Sequence, residues 1–281
     1  MNDFCIFILT HGRPDNIKTI DALQKSNYTG KFYIIIDDED ATSEKYFQKY
    51  GDKVIMFSKS EIEKKFDTGD NFENRGSAIH ARNVCFELAK KVGVKYFMQL
   101  DDDYSAFEFR IYKNFKSVPK NIKCLDDVIN AVLKFYKKIN AETIAFAQGG
   151  DFIGGAQNNF AKNPNLRRKA MNSFICSVDR PFKFQGTMND DVNTYTQLGS
   201  TGKLFFTIPT LSIVQTTTQA SKGGITELYL QNGTYVKSFY SVMYSPSSVK
   251  ISMMGDTHRR IHHKINWNNT TPCIIDENLK K

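Results

Sequence analysis

The sequence predicts an α/β fold: a mostly parallel sheet with helices on both faces, followed by a mixed C-terminal half. Three observations carry this. Short apolar runs alternate with helical stripes over the first hundred residues, several of those runs end in acids, and the composition is that of an ordinary globular chain. Of 281 residues, 41% are hydrophobic and 24% charged, which places the chain among those that bury a core and away from disordered ones. There is no internal repeat and no low-complexity linker. One continuous domain over residues 1–281 is therefore the economical reading.

The elements follow in order. Phe4–Thr10 is an apolar run that reads as a buried strand. Pro14 then falls where the first turn of a helix tolerates proline, and Ile17, Ile20, Ala22 and Leu23 form its apolar stripe. Next come a second strand at Lys31–Asp37, a polar helix around Ser43–Tyr50, a third strand at Lys53–Phe57 and a loop at Asp67–Arg75. A helix from Ser77 to Val92, stopped by Gly93, leads into a fourth strand at Lys95–Leu100. Strands and helices alternating at this spacing make βαβ units, and those require parallel pairing. Further on, the pattern predicts helices at Leu125–Ile139, Asp190–Leu198 and Thr234–Tyr244, and strands at Thr143–Ala147, Ser173–Val178 and Leu204–Ile208. A Gly/Asn-rich loop spans Gly149–Asn165, and Gly255–Lys264 concentrates Arg and His.

Charge and cysteine usage narrow the function classes. With 38 Lys and Arg against 30 Asp and Glu, the formal charge is +8, which favours polyanionic partners such as nucleic acid or a sugar nucleotide. No apolar run approaches the ~20 residues that cross a bilayer, and no basic-then-apolar leader opens the chain. Membrane spanning and export are not expected, and a cytoplasmic location is. The five cysteines are scattered and without a CxxC pair, which fits reduced thiols and gives no structural zinc site. Neither a phosphate-binding GxxxxGK[ST] loop nor a dinucleotide fingerprint occurs.

The chemistry concentrates at strand ends. The fourth strand runs into Asp101-Asp102-Asp103, and ligands of open α/β sheets bind beyond the carboxyl ends of strands. Three adjacent carboxylates repel one another unless a cation is present, and Mg²⁺ or Mn²⁺ shared with substrate phosphates answers that need. The alternative is an acidic turn with Asp as a cap. The second strand ends in Asp37-Asp38-Glu39-Asp40, where Asp37 or Asp38 can accept from a base or ribose. The first ends in Thr10-His11-Gly12-Arg13, whose glycine permits close approach and whose arginine offers a fork for phosphate or base. Arg75, Arg82 and Asn83 flank or open the helix before the acidic strand, a natural anion seat; alternatively, Arg82 lies along the surface.

Taken as a set, Thr10-His11-Gly12-Arg13-Pro14, the acids of strand two, Ala81-Arg82-Asn83, the Asp triplet and Asn189-Asp190-Asp191 resemble a GT-A glycosyltransferase with a Rossmann-type sheet. More narrowly, they resemble the TET/JBP-associated glycosyltransferases, found largely in phages and predicted to place sugars on hydroxymethylated pyrimidines of DNA. The resemblance covers most of residues 3–210. It implies a nucleotide-sugar-binding half at 1–103, with an acceptor-binding half and a basic C-terminal segment at 104–281. It also implies a nucleotide-sugar donor, with UDP-sugar the expected one, a divalent metal on Asp103 with Asp101 near the donor ribose, and an acceptor-side acid at Asp190 or Asp191. The same two aspartates would serve equally as helix caps. One of His258, His262 and His263 is a further metal candidate, with His258 favoured.

Arg167, Arg168, Lys169, Arg259 and Arg260 are candidate DNA contacts. Phe152, Gln157, Asn158, Asn159 and Phe160 form a loop suited to holding a base turned out of a duplex, and Ser221-Lys222-Gly223-Gly224-Ile225 suits a lid. Two other readings stand beside this one. The first is a glycosyl- or nucleotidyltransferase with a non-DNA acceptor; the second is a nucleic-acid-binding protein whose acids are structural.

Overall fold

The computed structural model describes residues 2–70, 75–113, 116–152, 166–215, 233, 235–255 and 259–272. The expected strand–helix alternation is present. Strands β1 (Phe4–Leu9), β2 (Lys31–Asp37), β3 (Val54–Phe57) and β4 (Tyr96–Asp101) pair in the order β3-β2-β1-β4, all parallel. Between them lie α1 (Lys18–Lys25), α2 (Ser43–Tyr50), the short α3 (Lys59–Glu63) and α4 (Ile79–Lys91). Every residue of β1 is buried, because a parallel sheet is covered on both faces and each side chain along a strand meets one core or the other. Phe4, Ile6 and Ile8 join Ile34, Ile36, Met98 and Leu100 on one side. Cys5, Phe7 and Leu9 join Ile35, Phe86 and Phe97 on the other.

The helix expected to open at Pro14 starts later. Residues 13–16 instead form a turn closed by the Asn16 N–H donating to the Arg13 carbonyl at 3.1 Å. The first turn of α1 is docked on the exit of β4: the Thr19 amide donates to the Asp102 carbonyl (3.2 Å) and its hydroxyl to the Asp101 carbonyl (2.6 Å). That docking decides where the helix begins, and it ties the acidic segment to α1.

Beyond β4 the sheet becomes mixed. A hairpin absent from the sequence-based expectation, β5 (Tyr104–Lys113) and β6 (Lys116–Asn121), is followed by α5 (Leu125–Lys138), β7 (Ala141–Gln148), β8 (Ser173–Ser177), α6 (Asp190–Ser200) and β9 (Leu204–Gln215). The completed order is β3-β2-β1-β4-β8-β7-β9-β5-β6. In it β8 runs antiparallel to both β4 and β7, and β9 is parallel to β7. Helix α7 (Val236–Tyr244) and a separate antiparallel ribbon, β10 (Val249–Met254) with β11 (Arg260–Ile265), complete the described chain. Among the described residues no helix is long and apolar enough to cross a membrane. Cys5, Cys85, Cys124 and Cys176 are free thiols.

Candidate active site

Three acidic centres form along the carboxyl edge of the parallel strands, and each is organised by a cation. The first follows β4. Asp102 is buried and turned inward: Thr10 donates its hydroxyl to Asp102 Oδ2 at 2.6 Å, and Arg13 Nε lies 3.2 Å from the same oxygen. Burial raises the Asp102 pKa, while Arg13 and Thr10 work against that rise. Tyr46, whose hydroxyl lies 3.0 Å from that of Thr10 and accepts from the Arg13 amide at 2.8 Å, completes the bracket. Asp103 is only partly buried, and Gln215 donates to its Oδ2 at 3.3 Å. Burial, together with the neighbouring Asp101 and Asp102, pushes its pKa up to about 6. A carboxyl held against ionisation by its own neighbours is a group that a hard cation would relieve.

The second centre joins segments about ninety residues apart. The Arg82 guanidinium, 5% exposed, places one nitrogen 3.3 Å from Asp101 Oδ1 and Nε 2.9 Å from Asp190 Oδ2. The rings of Phe174 and Phe184 lie 5.2 and 5.8 Å from it, within cation–π range. Burial opposes its charge, but Asp101 and Asp190 outweigh burial and hold Arg82 firmly protonated. The surface-lying alternative for Arg82 is thereby excluded. Burial raises Asp190 to about 6 despite Arg82, and raises Asp191 as well. The two aspartates divide their roles. Asp191 Oδ1 accepts the Val192 amide at 2.7 Å, at the N-terminus of α6, whereas Asp190 faces Arg82.

Asn83 is not presented to the crevice: its amide nitrogen donates to the Phe184 carbonyl (3.1 Å) and its oxygen accepts the Phe184 amide (2.8 Å). It fixes the segment that leads to Asp190.

The third centre follows β2. Asp37 accepts from His11 Nδ1 at 2.7 Å and lies 3.0 Å from Lys59 Nζ. Burial works against the Asp37 carboxylate, but His11 and Lys59 outweigh it and lower its pKa. The hydrogen bond to Asp37 raises that of His11. Asp38 is exposed and accepts the Lys59 amide at 3.0 Å. Gly12, at φ +71, donates its amide to Asp40 at 2.7 Å, a turn only glycine makes without strain. Arg75 is held by Glu63 (2.7 Å) and Glu39 (2.8 Å). Lys59, a buried lysine that sequence reasoning passed over, is marked there only by its place just after β3.

The basic residues converge less completely. Arg168 and Lys169 both reach Asp151, the latter at 3.4 Å, while Arg167, Arg259 and Arg260 are exposed. His262 and His263 stack at 4.1 Å, and His263 Nδ1 lies 3.3 Å from the Asn189 amide nitrogen. Burial and the nearby Lys237 and Lys169 depress both imidazoles, His263 to about 3, so both are neutral at pH 7. His258, the segment Ser221–Ile225 expected to suit a lid, and the loop residues Gln157, Asn158, Asn159 and Phe160 lie outside the described residues. Phe152 is buried, with the Arg110 guanidinium 4.3 Å from its ring.

Acids and a buried guanidinium thus gather at the rim of the parallel sheet. The family model of the TET-Associated Glycosyltransferases matches residues 4–224, and the chain belongs to that family; it is a glycosyltransferase.

Among solved structures it is similar to glucosyl-3-phosphoglycerate synthase from Mycobacterium tuberculosis, in complex with Mn²⁺, UDP and phosphoglyceric acid (10% identity, TM-score 0.45, 93% of this chain and 86% of that one). A putative nucleotide-diphospho-sugar transferase from Desulfovibrio desulfuricans is comparable (10%, 0.44, 87% and 99%), as is S. aureus TarS (11%, 0.44, 85% and 65%). Similarity this low says nothing of this chain's own donor or acceptor. No curated protein matches.

Proposed function

We propose that the enzyme moves a sugar from a nucleotide-sugar, UDP-sugar being the donor to test first, to the hydroxyl of a 5-hydroxymethylpyrimidine in DNA, with phage DNA the natural substrate. The observation that supports this reading is the meeting of Asp101 and Asp190 at Arg82, which brings the two acids proposed for the donor and acceptor sides to one cation. Asp103, with Asp101, would hold Mn²⁺ or Mg²⁺. The oxygen donors suit a hard cation. When bound, the ion neutralises the leaving diphosphate.

The rest is work for side chains. Asp190, raised to about 6, is mostly ionised at pH 7 yet basic enough to take a proton. As the acceptor oxygen bonds to the anomeric carbon and the bond to the diphosphate oxygen breaks, the hydroxyl proton passes to the Asp190 carboxylate. Arg82 keeps that carboxylate in place, and Asp191 anchors the start of α6. Exposed Arg167, Arg259 and Arg260 suit DNA phosphates. The test is incubation with hydroxymethylated DNA, mixed UDP-sugars and Mn²⁺, followed by nucleoside mass spectrometry. A glycosylated pyrimidine is the expected product, and unmodified DNA would overturn the acceptor assignment.

A further inference from the structure

Helix α7 turns a mixed face inward, with Val236 and Tyr240 partly buried against Met188, and leaves an apolar stripe outside. Its buried positions are Ser238 and Ser241, with Ser245 just beyond, whereas Tyr235 before the helix and Phe239 and Met243 within it are 50%, 52% and 53% exposed. Those three follow at i, i+4 and i+8 and so form one stripe. Two of these serines, Ser241 and Ser245, face inward for a polar reason. Ser241 accepts from Asn189 Nδ2 (3.1 Å) and donates to Asn193 Oδ1 (2.9 Å), and the Ser245 hydroxyl lies 3.2 Å from that of Thr196. All three partners belong to the segment that carries Asp190. β10 packs against α7 and carries Ile251 and Met253 on one of its faces, of which Met253 is 57% exposed. A stripe that leaves Phe239 and Met243 of the helix, and Tyr235 ahead of it, in water presents a contact face.

Charge identifies the occupant. Residues 233–272 hold five Lys or Arg (Lys237, Lys250, Arg259, Arg260, Lys264) against one acid, Asp256. The ribbon register sets Lys250 directly opposite Lys264, a like-charge pairing that destabilises a ribbon unless an anion lies across it. Protein interfaces are depleted of lysine. Apolar and aromatic side chains on a segment that is otherwise basic suit nucleic acid, where such groups stack on bases or wedge between base steps.

We propose that this face opens the duplex. Tyr235, Phe239, Met243 and Met253 take up the bases beside the target when it is turned out toward Asp190, while Lys250, Arg259, Arg260 and Lys264 hold the backbone. The inference rests on the DNA-acceptor reading and adds the surface that makes a paired base reachable.

The test compares transfer to matched duplex and single-stranded oligonucleotides carrying a hydroxymethylpyrimidine, for the parent enzyme and the double variant Phe239→Ala, Met243→Ala. The duplex-to-single-strand rate ratio is expected to fall about tenfold or more and to recover when the target lies opposite a mismatch, with the thermal shift by UDP and Mn²⁺ kept as the check on folding. A ratio unmoved by substitution in an active enzyme overturns the opening face alone. So does light scattering that shows a parent dimer dissociated by the substitutions while the ratio holds, because the face would then bind a second copy. A parent enzyme inactive on both DNA forms overturns the acceptor reading itself.

Discussion

Arg82 is the residue on which the site's electrostatics turn. With its guanidinium removed, Asp101 and Asp190 would face each other in a poorly solvated pocket with no cation between them. Breaking a buried pair in this way costs about 3–5 kcal/mol, so Arg82→Ala should lower the melting temperature markedly, and Arg82→Lys should restore only part of it because a single ammonium does not reproduce the fork. Asp103→Ala should behave differently: loss of transfer by about a thousandfold or more, with far-UV circular dichroism and melting temperature preserved.

Asp190 carries a pH signature. Its pKa is raised to about 6, and the base proposed for this position works only when ionised, so kcat/KM should climb as pH rises through about 6 and level off above it. Asp190→Asn should flatten that limb and remove most of the activity. A limb that persisted in the variant would show that the proton goes elsewhere.

At the scale of elements, the site depends on how the C-terminal segment docks on α6. A Cβ placed on Gly199 would stand 2.0 Å from the Thr270 carbonyl oxygen, so backbone must move. Gly199→Ala should cost about 1–3 kcal/mol and shift thermal unfolding down by several degrees. Gly186, at φ +81 and hemmed in by Asn193 and Tyr244, shapes the turn before Asp190, and alanine there should reduce activity as well as stability. Both hairpins escaped the sequence-based expectation, each for its own reason. The alternation Phe107-Glu108-Phe109-Arg110-Ile111 is a strand signal, but it sits directly after the acidic turn with no glycine or asparagine pair to announce the pairing. In β10 and β11 no apolar face is buried except at Val249, so periodicity had little to report.

For the molecule as a whole, donor and metal should bind together. UDP with Mn²⁺ should stabilise the protein by about 2.7 kcal/mol at a hundredfold excess over Kd, several degrees in a thermal melt, with much smaller shifts from either alone. Equal shifts from UDP with and without Mn²⁺ would remove the metal from the site. Binding to unmodified DNA should weaken steeply with salt, since counterions released from phosphates dominate such contacts.

The parallel half of the sheet, its two-sided burial and the acids at its rim were decided by the sequence itself, because period and strand-end chemistry are local properties that a chain carries wherever it folds. The division of labour among those acids was not. That Asp102 turns inward to Thr10 and Arg13, that Asp101 and Asp190 share Arg82, and that Asn83 grips Phe184 instead of a ligand are outcomes of packing between segments far apart in the chain. Only tertiary structure sets which carboxylate loses its water and which cation it meets, and those two quantities set its charge.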